Sequence, residues 1–131
     1  MTRGRLVTCS CACAIATLVL IGFVRSVTAQ EDDQDVLKVI PENYKLIVDN
    51  AFVRVLEAHI PPGTEEKPHR HMHGISVCMT EYTLESRNLP SGQWVRNQRK
   101  LGTVYWSEAG LHQVRNVGTT MSHTIRIELK H

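Results

Sequence analysis

No stretch of this chain beyond residue 30 reads as a helix of ordinary length; short runs alternate apolar and polar side chains and stop at turn residues. Val53–Ile60 is the clearest run. Val53, Val55, Glu57 and His59 share one face, and Arg54, Leu56, Ala58 and Ile60 the other, until Pro61-Pro62-Gly63 ends it. Tyr44–Val48, Ile75–Tyr82, Leu84–Arg87, Gln93–Asn97, Thr103–Trp106, Gln113–Val117 and Ser122–Leu129 read as further strands. Asp49-Asn50, Leu89-Pro90-Ser91-Gly92 and Gly118-Thr119-Thr120 supply turns between them. In 131 residues this predicts one all-β domain, an antiparallel barrel or sandwich.

The first 29 residues read as a signal peptide. Arg3 and Arg5 precede the apolar run Leu6–Val24, and Val27-Thr28-Ala29 suits a cleavage site. An uncleaved anchor is the alternative, although 19 residues barely span a bilayer. Cleavage after Ala29 leaves an exported, periplasmic or secreted chain with no stable membrane insertion. Its lead-in at 30–43 is acidic and frayed over Gln30–Asp35, then a short strand or irregular over Val36–Tyr44; the barrel domain follows at 44–131. That chain carries 12 lysines and arginines against 13 acids, so no basic surface argues for nucleic acid. Cys9, Cys11 and Cys13 go with the leader, and Cys78 alone cannot form an internal disulfide.

The chemistry is carried by Gly63-Thr-Glu-Glu-Lys-Pro-His69-Arg-His71 and, some forty residues on, Gly110-Leu-His112-Gln-Val-Arg-Asn116. Residues i and i+2 of a strand face the same side, so His69 and His71 present two imidazoles together. A third histidine from a distant strand would close a three-nitrogen site for a divalent transition ion.

These residues resemble the motifs of the cupin superfamily. Gly63, His69 and His71 fit the first motif. Gly102, Gly110, His112 and Asn116 fit the second, with Glu108 where proline is usual and one residue fewer between Gly110 and His112. The resemblance spans about Val53 to Leu129. It implies a small jelly-roll barrel of the RmlC-like kind, with metal ligands His69, His71 and His112, a fold role for Asn116, and a homodimer. The family's glutamate has no counterpart, because its two available positions hold Ile75 and Ser76. Three imidazoles still suit Fe²⁺, Zn²⁺, Ni²⁺ or Cu²⁺ by ligand type.

His73 continues the alternation as a substitute ligand or a neighbour of the ligands, or else as a rim residue. Ser76, Cys78 and Trp106 are candidate pocket walls. Trp94 and Tyr105 read as core, Glu65, Glu66 and Lys67 as a solvated run, and His59, His123 and His131 as edge or surface residues. Two functions fit. One is a metal-dependent enzyme acting on a small organic molecule, of the cupin dioxygenase or isomerase type. The other is a non-catalytic small-ligand-binding or structural module. Free histidine titrates near 6.5, which sets the acid limit expected for metal binding.

Overall fold

A computed structural model describes residues 32–131; the expected leader and its cleavage site lie outside them. Nine strands follow one helical turn, α1 (Val36–Val39). They are β1 (Tyr44–Asp49), β2 (Val53–Ile60), β3 (His69–His71), β4 (Gly74–Cys78), β5 (Tyr82–Asn88), β6 (Val95–Arg99), β7 (Val104–Ser107), β8 (Gly110–Asn116) and β9 (Ser122–Leu129). One sheet runs β1-β2-β9-β4-β7 and the other β3-β8-β5-β6, and every neighbouring pair is antiparallel. The expected antiparallel jelly roll is thus built as two sheets. Among the described residues no helix is long and apolar enough to cross a membrane.

Three segments differ from the sequence reading. The single strand expected over Ile75–Tyr82 is broken at Met79-Thr80-Glu81, where the chain passes from one sheet to the other. Thr80 Oγ1 fixes the crossing by donating to the Met121 carbonyl at 2.8 Å. Val36–Tyr44, expected as a strand or irregular, opens with α1. Asp35 caps this turn by accepting the Leu37 N–H at 3.0 Å. Val36 and Ile40 are buried against Tyr44, Leu56 and Ala58 in one apolar cluster. The acidic segment before α1 is pinned from Asp32 on rather than frayed. Arg54 donates to Asp35 Oδ2 at 2.6 Å, and the Arg70 N–H donates to the Gln34 carbonyl at 2.7 Å. The segment expected to be loose therefore braces β3.

The five-stranded sheet is turned inside out with respect to polarity. Ser122, Thr124, Arg126 and Glu128 of β9 are buried, while Ile125, Ile127 and Leu129 lie on the more exposed face. In β4, Ser76 and Cys78 face in and Ile75 faces out. Paired rows Val55–Ile127–Ile75–Trp106 and Ile125–Val77–Val104 make the outer face apolar. The interior is a polar cup, and its floor is the cluster around α1.

Asn116 ties the cup together as a fold residue. Its Nδ2 donates to the Ile60 and Thr120 carbonyls, and its Oδ1 accepts from the Gly118 N–H. Gly63 stands in the left-handed region at φ 78°, which suits the turn after β2. Gly74 has a different reason to be glycine. A Cβ there would lie 2.0 Å from the Ile127 carbonyl oxygen, a backbone atom that cannot yield without moving β9. Gly74→Ala should destabilise the fold by about 1–3 kcal/mol or more, as overpacking does. Gly110→Ala, whose Cβ meets nothing within 4 Å, should cost little. Urea denaturation of the two variants checks this, and equal losses would contradict the tight β4–β9 approach.

Candidate metal centre

Strand register brings the sequence-predicted histidines to one place. His69 on β3 stands directly opposite His112 on β8, and His71 opposite Gly110. The side-chain nitrogens of His69, His71 and His112 offer one ligand atom each, all within 4.8 Å of one another. Their rings meet edge to face, with centroids 4.5–5.2 Å apart. Tyr44 packs its ring against both His69 and His71.

The hydrogen bonds around the rings decide which nitrogens are free. His69 Nδ1 donates to the Lys67 carbonyl at 2.8 Å, so its Nε2 is a bare lone pair. His71 Nδ1 lies 2.5 Å from Glu128 Oε1 and donates to it, which leaves the His71 Nε2 unprotonated too. His112 Nε2 is 2.9 Å from His69 Nε2 and is the donor of that pair. To serve as a ligand through Nε2, His112 would carry its hydrogen on Nδ1 instead. The donor set fits a divalent transition ion.

Burial holds the site neutral. It lowers the pKa of His69, lowers that of His71 well below the usual value, and pushes His112 down to about 2. Arg126 adds to each effect by facing the cluster with its positive charge. The acid limit expected near 6.5 therefore moves lower. Of the two positions available for the family's glutamate, Ile75 points outward and Ser76 inward. There Ser76 Oγ accepts from Arg126 Nη1 at 3.3 Å, so a guanidinium stands where a carboxylate was sought.

Two carboxylates that the sequence did not single out lie behind the imidazoles. Glu128 is fully buried and accepts from His71, from Arg54 Nε at 2.6 Å and from Arg126 Nε at 3.2 Å. Glu66, read from sequence as solvated, is 2% exposed. Its Oε1 accepts from Asn43 Nδ2 at 2.8 Å and its Oε2 from Tyr44 at 3.3 Å, and Oε2 is 3.8 Å from His69 Nε2. Its neighbour Glu65 bonds Gln113 Nε2 instead, so two consecutive glutamates face opposite ways, and strand-like alternation was the available signal.

A cavity of about 460 Å³ opens beside the cluster. His71, His112, Ser76, Arg126, Tyr105 and Arg99 are among its lining residues. Trp106 borders it at the rim only: its side chain is on the outer face beside Ile75, 50% exposed, and the indole donates to Glu108 at 2.7 Å. Cys78 does not line it; the thiol is buried behind Tyr82, 3.2 Å from the phenol oxygen. His73 is outside the three-histidine group, stacked on Trp106 and bonded to the His131 carbonyl. Trp94, expected in the core, is partly exposed between the guanidinium groups of Arg87 and Arg115.

Burial raises the Glu66 pKa from 4.5 to about 7, against the opposing bonds from Asn43 and Tyr44. Between those values the native state holds a proton that the unfolded chain has lost, so this group's contribution to stability falls as pH rises. Glu66→Gln abolishes that titration. In chelator, the variant should gain on the wild type by about 3 kcal/mol at most between pH 4.5 and pH 8. Urea midpoints at the two pH values check it, and an unchanged difference would contradict the buried carboxyl.

No family model matches the sequence, and no curated protein matches it. Solved structures do. A cupin domain from Bordetella pertussis Tohama I is 34% identical, with a TM-score of 0.60 over 67% of this chain and 92% of that one. An RmlC-like cupin with a double-stranded β-helix fold from Methanocaldococcus jannaschii has a TM-score of 0.53 at 13% identity, over 67% and 79% of the two chains. A double-stranded β-helix protein from Klebsiella pneumoniae reaches 0.51 at 16% identity, over 64% and 72%. The last two share the fold alone. At 34% identity over two thirds of its own length and nearly all of the Bordetella domain's, and sharing that domain's fold, this chain belongs to the cupin superfamily.

Proposed function

We propose that this is an exported cupin that binds one divalent transition ion in its cup, through His69, His71 and His112, and takes a small anionic organic molecule beside it. The observation that carries the reading is the convergence of three neutral imidazoles, two of them with Nε2 left free by bonds at Nδ1. When bound, the ion would supply Lewis-acid or oxygen-activating chemistry. The protein's own groups do the rest. Glu128 and the Lys67 carbonyl orient His71 and His69. Ser76, Tyr105 and the guanidinium groups of Arg126 and Arg99 offer hydrogen bonds to oxygen atoms within the cavity. Three neutral ligands bring no charge of their own to offset the ion, and the Glu128 carboxylate behind His71 is already shared with Arg54 and Arg126. A carboxylate or other oxyanion is the ligand that such a field favours.

The reaction class that follows by family likeness is dioxygenation or isomerisation. Ser76 and Arg126 at the family's glutamate position favour a second reading, a binding module without catalysis. The outer rows around Ile75, Val104 and Trp106, 37%, 62% and 50% exposed, support a homodimer within either reading.

The metal claim is tested by elemental analysis of protein purified without a histidine tag and incubated with Fe²⁺, Zn²⁺, Ni²⁺ or Cu²⁺. His71→Ala should hold one ion fewer per chain than the wild type, and His131→Ala the same number. Equal content in His71→Ala and wild type would remove the cup site. In equilibrium dialysis the cup ion should be retained as pH falls past 6.5, because burial keeps the ligands neutral there. Release at 6.5, as for free histidine, would contradict that field.

A further inference from the structure

A second set of metal-ligating side chains stands on the opposite face of the large sheet, outside the cup. His59 on β2 and His123 on β9 are directly opposite in the register, and Glu57 lies two residues before His59 on the same face. The backbone shows which kind of pair this is. The His59 N–H donates outward to the Asn43 carbonyl, and the His123 carbonyl accepts outward from the Met79 N–H. The two residues direct these groups away from each other and form a non-hydrogen-bonded pair. That is the closer of the two antiparallel spacings, with Cα atoms about 4.5 Å apart.

The side chains use that closeness. The imidazoles stack with centroids 4.2 Å apart and planes 22° from parallel. His123 Nε2 is 2.9 Å and His59 Nε2 4.0 Å from the same oxygen, Glu57 Oε1. All three ligand atoms lie within 4.8 Å of one another. Thr80 holds the His123 backbone by accepting its N–H at 3.0 Å, so one wall of the site is fixed. The three side chains are 25–45% exposed, which leaves room for solvent ligands.

From this geometry we infer that Glu57, His59 and His123 form a second, solvent-open site for a divalent transition ion such as Zn²⁺, separate from the cup. Two imidazoles and one carboxylate with open positions are a sufficient ligand set for Zn²⁺. The carboxylate partly offsets the ion's charge, which no ligand of the cup does. An ion bound there clamps β2 to β9, the strands that carry Ile60 and Thr124 into the cavity wall on their other faces. The site is independent of the cup and would stand if the cup held no metal.

The test is Zn²⁺ binding to the full-length mature protein, in wild type and in His71→Ala. Adding His123→Ala should remove one ion per chain in both backgrounds, and Glu57→Gln should weaken that ion by about tenfold or more. Zn²⁺ should also shift the imidazole nuclear magnetic resonance signals of His59 and His123 in His71→Ala. His123→Ala binding as many ions as its parent would overturn the inference. So would unmoved His59 and His123 signals, or millimolar affinity typical of adventitious surface histidines.

Discussion

The carboxylate of Glu128 holds β2, β3 and β9 together. It is fully buried, and its two oxygens accept from Arg54 on β2, His71 on β3 and Arg126 on its own strand. One side chain thus ties the two sheets together and fixes the tautomer of a candidate ligand. An unpaired buried carboxylate would cost several kcal/mol, and three charge-assisted partners offset that cost. Gly74 belongs to the same device. It pairs with Glu128 across β4 and β9, and only the absence of a side chain lets the strands approach so closely.

An interior organised around polar groups explains the unusual distribution of apolar residues. The apolar cluster is confined to the end of the cup where Val36 and Ile40 meet β1 and β2. Elsewhere buried serine, threonine, arginine, histidine and glutamate stand among Ile60, Cys78, Tyr82 and Val114, while isoleucines and valines line the outer face of the large sheet. A domain arranged this way has a polar cavity in its middle and an apolar surface outside. Arg126, rather than a carboxylate, faces Ser76, and Glu128 pairs its charge from behind.

How far the sequence alone could be read follows from that arrangement. The strands were legible because alternation and turn residues mark them whichever face is buried. The three histidines were legible because spacing and order carry them, independent of burial. Glu128 was hidden because β9 alternates polar with aliphatic residues, and the usual rule assigns the polar set to solvent. Glu66 was hidden inside a run of charges in which its neighbour does face water. The helical turn at Val36 was hidden by its length, since one turn shows no periodicity. The paired surface histidines needed the β2–β9 register, which no single strand contains.

The most direct measurement is anomalous diffraction from crystals soaked in Zn²⁺, recorded above and below the zinc absorption edge. The account predicts a peak bonded to the Nε2 atoms of His69 and His71 and to His112, with His71 Nδ1 still on Glu128. A cup with no peak, or a peak held by His73 in place of His112, would contradict it.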